Sequence, residues 1–209
     1  MSTTAATNYR RFDAVIFDLF GVLIAFDDDL VTRRLAEHCA DPRRAFAAMQ
    51  DIVSREDLIR GRLTLNDLHA DLVSRHGLSL SPEAFKASWL EPYSEPMPGM
   101  GNLIRELVKQ HRLVLLSNVD KYYWNTIRDG YGELQHFDRL VLSCDVGVAK
   151  PDRAMFELAV QAAGTDASRC FFVDDKLENV QAAARLGLRA HRFIGVPDLL
   201  EALSREYII

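Results

Sequence analysis

Ala14-Val15-Ile16-Phe17-Asp18-Leu19-Phe20-Gly21 decides the reading of this chain. Four consecutive apolar residues read as a strand buried on both faces, and such strands belong to parallel sheets covered by helices. The run ends on an aspartate and a glycine. Three more polar stretches follow in order, each beyond an apolar, strand-like run. They are Ser117-Asn118 after Leu113-Val114-Leu115-Leu116, Lys150-Pro151-Asp152 after Val146-Gly147-Val148-Ala149, and Asp174-Asp175 after Phe171-Phe172-Val173. In an open parallel sheet, ligands bind in the crevice at the carboxyl ends of the strands. The order therefore gathers three acids, a hydroxyl, an amide and a lysine at one point. Such a set suits an anionic substrate and a divalent metal.

Working outward, helix and strand alternate after residue 96. Helices are expected at 100–110, 122–130, 152–163 and 177–186, followed by strands at 112–116, 139–142, 170–173 and 189–193. Alternation of this kind means βαβ units and a doubly wound parallel sheet. Between the first strand and this region the pattern is helical throughout. Asp27-Asp28-Asp29 opens one helix, 43–58 and 66–73 repeat its periodicity, and Ser81-Pro82-Glu83 starts another with serine as cap and proline in the first turn. The expected organisation is an α/β core of residues 1–25 and 97–209, with an all-helical cap at 26–96 lying as a lid over the strand ends.

Composition narrows the function. Of 209 residues, 48% are hydrophobic and 26% charged, which supports a sizeable core. A formal net charge of −5 argues against nucleic acid as the partner. Residues 1–11 lack the apolar core of a signal peptide and read as a short disordered tail. No stretch approaches the roughly 18 apolar residues of a membrane span. Cys39, Cys144 and Cys170 are odd in number and scattered, which suits buried thiols in a reducing, cytoplasmic compartment. The six histidines show no metal-ligand spacing and read as surface or structural residues.

Each polar stretch has a plain reading beside a chemical one. Asp18 can open a turn, or it can be a carboxylate nucleophile that forms an acyl phosphate. A carboxylate attacking a dianion needs a cation nearby. Asp174 and Asp175 can favour the start of the next helix, or they can hold Mg²⁺, which takes oxygen ligands. Ser117 and Asn118 can cap a helix or hydrogen-bond phosphate oxygens. Lys150 can be a surface residue, or a point charge pairing with nucleophile and phosphate.

Taken together, Asp-x-Phe-Gly, Leu-Ser-Asn, Lys-Pro-Asp and Val-Asp-Asp-x-x-x-Asn resemble the haloacid dehalogenase-like hydrolase superfamily, in its helical-cap subgroup. The resemblance spans about residues 13–195. It implies Asp18 as nucleophile, Ser117 and Asn118 as phosphate contacts, and Lys150 as charge clamp. It also implies Asp175 as metal ligand, with Asp174 beside it, Asn179 one helical turn on and the Phe20 carbonyl as a further ligand. The implied activity is Mg²⁺-dependent hydrolysis of a small phosphorylated metabolite through an aspartyl phosphate.

One departure matters. Phosphatases of that family carry a second aspartate two residues after the nucleophile, as general acid and then base. Phe20 occupies that position and can do neither, where general acid–base help is typically worth about 10²–10⁴-fold. Activated leaving groups, such as that of a sugar 1-phosphate, are therefore expected to be favoured. An aromatic at this position also marks the metal-independent 2-haloacid dehalogenases, which lack the paired acids of the fourth motif. Two alternatives therefore stand beside the phosphatase: that dehalogenase chemistry, and a member that binds a phosphorylated ligand or protein partner with little turnover. A response regulator would place its acidic pair near the first strand. A dinucleotide fold would need a third glycine where Ile104 stands.

Overall fold

The computed structural model describes residues 11–209, apart from 51, 54 and 91–94. The tail expected at 1–11 thus lies, Arg11 excepted, outside the described residues. Strand β1 (Ala14–Phe17) leads into five helices: α1 (Asp28–Glu37), α2 (Pro42–Ala48), α3 (Glu56–Ile59), α4 (Leu65–His76) and α5 (Pro82–Leu90). Then follow α6 (Met100–Leu107), β2 (Arg112–Ser117), α7 (Lys121–Ile127), β3 (Arg139–Leu142) and α8 (Ser143–Val146). The chain closes with α9 (Arg153–Ala163), β4 (Cys170–Asp174), α10 (Leu177–Leu186), β5 (Arg189–Arg192) and α11 (Val196–Arg205).

Side chains alternate across a strand, and here they sort onto two apolar faces. Ala14, Ile16, Val114, Leu116, Cys170 and Phe172 look one way, into a cluster with Met155, Phe156 and Ala183 of α9 and α10. Val15, Phe17, Leu113, Leu115, Phe171 and Val173 look the other, toward Leu103 and Ile104 of α6 and Leu199 and Leu203 of α11. Both faces being covered, the parallel strands read as unbroken apolar runs. All pairings are parallel, in the order β3-β2-β1-β4-β5. The chain moves from β1 outward through β2 and β3, then returns to the other side of β1 for β4 and β5. The order reverses between β1 and β4, which is where a doubly wound sheet opens its ligand crevice.

The second apolar cluster does not stop at the sheet. It continues through Val31, Leu35, Leu68, Phe85 and Trp89 of the helical insert. Polar bonds seal the seam. Ser143 Oγ donates to the Ile59 carbonyl at 2.5 Å and accepts from Val119 N at 3.0 Å. Arg60 pairs with Asp152 at 2.8 Å, and Trp89 Nε1 donates to Asp120 Oδ2 at 3.1 Å. The two chain crossings run side by side: Ala25 N donates to the Glu95 carbonyl, and Met97 N to the Leu23 carbonyl. No helix among the described residues is long and apolar enough to cross a membrane.

The structure corrects three local expectations. The helix expected at 43–58 is two helices, because α2 ends at Met49, whose N–H folds back onto the Ala45 and Phe46 carbonyls. Val146-Gly147-Val148-Ala149 is no strand. Ser143–Val146 is a helical turn closed by Gly147 at φ 74°, so Lys150 arrives on a loop. Helix α11 was not expected, although Pro197 in its first turn and the spacing of buried Leu199 and Leu203 carry its signal. His111, placed between the Phe12 and Ile208 carbonyls at 3.2 and 3.1 Å, is structural.

Tyr131 offers a test of the seam. Its buried hydroxyl donates to the Leu23 carbonyl at 3.2 Å, which also accepts from Met97 N at 2.8 Å. Tyr131→Phe therefore removes one donor without orphaning the acceptor. The expected cost is about 0.5–1.5 kcal/mol, toward the lower end, read as a shift of the urea midpoint with unchanged slope. A larger loss would mean that the hydroxyl does more than tie the crossing.

Candidate active site

Beyond β1, Asp18 closes a buried ion network. Lys150 Nζ lies 2.7 Å from Asp18 Oδ1 and 2.7 Å from Asp174 Oδ2. Relative exposures of 6% for Asp18, 5% for Lys150 and 0% for Asp174 take all three nearly out of water. A charge so buried is tolerable only when paired and hydrogen-bonded, and the remaining bonds are present. Asp18 Oδ1 also accepts from Leu19 N at 2.7 Å. Asp174 Oδ1 accepts from Lys176 N at 2.9 Å, and Asn179 Nδ2 reaches both Asp174 oxygens at 3.0 and 3.1 Å.

Asn118 holds the lysine's backbone. Its Nδ2 donates to the Lys150 carbonyl at 2.8 Å, and its Oδ1 accepts from Lys150 N at 2.8 Å. This two-way clamp explains how a loop, not a strand, delivers Lys150 into the network. Ser117 ends β2 fully buried, and its Oγ has no hydrogen-bond partner among the described residues. A buried hydroxyl left unpaired is costly; Ser117 lies beneath the cavity that opens from the network and is not among its lining residues.

Asp175 differs from its neighbour. Its Oδ1 is buried without a hydrogen-bond partner among the described residues, whereas the Asp174 oxygens are engaged. Arg192 Nε fixes its carbonyl at 3.2 Å. Gly21, at φ 76°, makes room for its carboxylate: a Cβ there would meet Asp175 Oδ2 at 2.6 Å. Asp18, Asp174 and Asp175 can bring one oxygen each within 4.8 Å of one another. With all three carboxylates ionised, as a bound cation would hold them, one ammonium leaves two negative charges, the complement of a divalent cation. Hard oxygen donors and an unpartnered buried carboxylate oxygen fit Mg²⁺ at this point.

A cavity of about 180 Å³ opens from the network. Asp18, Asn118, Lys150, Asp175, Lys176 and Asn179 line its polar end, while Phe20, Phe26, Trp89, Ile59, Val119 and Tyr123 line the rest. The Phe20 ring lies 5.0 Å from Phe26 and 5.2 Å from Tyr123. Position 20 thus builds an aromatic wall. Asp120, also in the lining, was not singled out in the sequence. It accepts from Tyr123 N at 2.8 Å and from Trp89 Nε1. Its place three residues beyond Ser117, at the end of an apolar run, was the available signal. The insert's aromatics had none, since helical spacing marks core and ligand wall alike.

Burial pushes the Asp18 carboxyl up to about 8, with Lys150 opposing and Asp174 adding to the rise. Burial and Asp174 likewise raise Asp175. Folding therefore favours neutral Asp18 in the metal-free protein. That contribution is full below the ordinary value of 3.8 and is lost as pH rises toward about 8. Between about pH 5 and about pH 8, metal-free wild type should lose more stability than Asp18→Asn, whose amide does not titrate. Urea midpoints in EDTA at the two pH values measure this. Equal losses would place the titration elsewhere.

A family model described as haloacid dehalogenase-like hydrolase matches residues 12–187. The sesquiterpene phosphatase astK of Aspergillus oryzae is 29% identical over 85% of this chain and 87% of its own. The D-ribitol-5-phosphate phosphatase of Bacteroides thetaiotaomicron is 24% identical over 83% and 87%. Among solved structures, a Bacteroides thetaiotaomicron enzyme of the same family, crystallised with magnesium and inorganic phosphate, superposes with a TM-score of 0.72 at 20% identity, over 87% of this chain and 93% of its own. The sheet order, the reversal beside Asp18 and a family match over most of its length agree: this chain belongs to the haloacid dehalogenase-like hydrolases.

Proposed function

We propose that the protein is a Mg²⁺-dependent phosphatase that hydrolyses a small phosphorylated metabolite through an aspartyl phosphate on Asp18. The observation that carries this reading is the buried Asp18–Lys150–Asp174 network beside an Asp175 whose Oδ1 has no partner of its own. Asp18, Asp175 and the Phe20 carbonyl would hold the metal. Asp174, its oxygens already engaged, lies within the cluster and orients Lys150. When bound, the cation neutralises the phosphoryl charge that would otherwise repel a carboxylate. Phosphatase relatives support the reading. In our assignment the helical insert, residues 26–96, is a cap that closes the cavity over the strand ends.

The chain's own residues divide the work. Lys150 and Leu19 N both bind Asp18 Oδ1, which fixes the carboxylate's orientation and leaves Oδ2 outside that clamp. A carboxylate oxygen attacks phosphorus, the P–O bond to the ester oxygen breaks, and the alkoxide leaves, taking a proton from solvent. Water then attacks the phosphorus of the acyl phosphate and gives a proton back to solvent, the P–O bond to Asp18 breaks, and inorganic phosphate leaves with the carboxylate restored. Ser117 Oγ and Lys150 Nζ bind phosphoryl oxygens, and Asn118 acts through Lys150.

Two experiments test this. Asp18→Asn should retain the fold and lose turnover by at least about 10³-fold, because an amide is a poor nucleophile. It should be assayed on phosphate esters and 2-haloacids with and without Mg²⁺. Halide release that survives EDTA in the wild type would hand the chain to dehalogenase chemistry, and binding without turnover to the non-catalytic alternative. Calorimetric Mg²⁺ titration should show Asp175→Asn weakened far more than Glu178→Gln, since Glu178 is exposed on α10. Equal affinities would remove Asp175 from the metal.

A further inference from the structure

The cavity has two chemically different ends. At the strand ends it meets Asp18 and Lys150, where Lys150 bridges Asp18 and Asp174, Asn118 grips Lys150 and Asn179 grips Asp174. Away from that end the lining is mostly apolar, with Phe20, Phe26, Trp89 and Tyr123 among its residues, and holds one carboxylate, Asp120. Two N–H groups meet that carboxylate. Asp120 accepts the Trp89 indole N–H with one oxygen and the Tyr123 backbone N–H with the other. The rings are in mutual contact, Phe20 lying 5.0 Å from Phe26 and 5.2 Å from Tyr123.

Resting on the phosphatase reading, we propose that the substrate is the phosphate monoester of a compact apolar alcohol, of the short prenyl or arylalkyl class, with its hydrocarbon against this aromatic wall. The phosphate is fixed beside Asp18, so the alcohol has only the apolar end of the cavity to occupy. A sugar or polyol there would bury most of its hydroxyls opposite rings, with Asp120, already holding two N–H groups, as the one carboxylate among them, so most would give up bonds to water without replacing them. A hydrocarbon meets the same wall with apolar burial and, for an unsaturated or aromatic one, ring contact. Phe20 contributes directly to this. An aspartate at its position would set a carboxyl group where the alcohol's first carbons lie, whereas the phenyl ring packs with those of Phe26 and Tyr123 beside Asp18. The sugar 1-phosphate suggested by the missing acid thus yields to an alcohol that the wall can cover.

The probes are 3-methylbut-2-enyl phosphate and 2-phenylethyl phosphate against glycerol 3-phosphate and glucose 1-phosphate, all with Mg²⁺, and acetyl phosphate as a donor with no alcohol to recognise. An apolar pocket discriminates against a single added hydroxyl by about 10²-fold. The apolar esters should therefore lead in kcat/KM by at least about 10²-fold. Phe26→Ser should cut that ratio by about 10-fold or more, and Phe26→Leu should preserve most of it. Polyol or sugar esters turned over as well as the apolar ones, with acetyl phosphate hydrolysed, would overturn the substrate class and leave the phosphatase standing. A ratio unmoved by Phe26→Ser would overturn the wall's role. Failure on all five donors would bring down the phosphatase reading itself.

Discussion

One buried ammonium organises this molecule. Lys150 Nζ touches a carboxylate from each side of the sheet's reversal, Asp18 beyond β1 and Asp174 at the end of β4, at 2.7 Å in both cases. Without the ammonium, two carboxylates would face each other out of water. Breaking a buried pair in this way costs about 3–5 kcal/mol. The lysine comes from a loop, so its position depends on the Asn118 clamp across its backbone. The network is a structural joint between β1, β2, β4 and the loop after β3. Asp174 is bonded through both oxygens, while Asp175, one residue on, keeps an oxygen without a hydrogen-bond partner among the described residues.

The joint sits at the floor of a cavity whose roof is another part of the chain. Ile59 and Trp89 come from the insert, Val119 and Tyr123 from the segment beyond β2, and Phe20 from the turn after Asp18. Ser143 ties the first two groups together, its one hydroxyl bonding both the Ile59 carbonyl and the Val119 amide. Trp89 and Asp120 repeat the device with a side-chain pair. The bonds that hold the insert against the sheet are thus made by residues in or next to the cavity wall. Apolar burial through Leu35, Phe85 and Trp89 supplies the bulk of the attachment, and the polar bonds set its register.

How much of this the sequence discloses follows from which interactions are local. Strands β1, β2 and β4 are covered on both faces, so their apolar runs stand out, and the polar residues at their ends are found by position alone. Val146-Gly147-Val148-Ala149 carries a similar apolar run and is a turn and loop, because Gly147 can take the left-handed conformation that a strand does not use. Asn118 is legible as a strand-end polar residue, but its partner lies 32 positions away and only folding shows that it grips backbone. Position alone does not separate Asp174 from Asp175, and only the family resemblance tells them apart in sequence. In the fold they part because Lys150 and Asn179, one turn into α10, both bond Asp174. Trp89 faces the cavity from α5, where the same spacing would bury it in an ordinary core, and Phe26 comes from the irregular segment just before α1.

Phe20 shows how a lost group and a gained surface can be one event. A carboxylate two residues after the nucleophile would need water or hydrogen-bond donors around it. The actual neighbours of this position are the rings of Phe26 and Tyr123, with Trp89 further along the same lining. An isolated charge in such a place would be desolvated without compensation and would take up a proton instead. A phenyl ring there needs no partner and extends the apolar lining to the edge of the ion network. The same substitution that removes acid–base assistance at the leaving group thus shapes the space that the leaving group must enter. Ion network and aromatic lining meet at Asp18 and Phe20, separated in the chain by Leu19, whose buried side chain belongs to the apolar core and whose amide N–H binds Asp18 Oδ1.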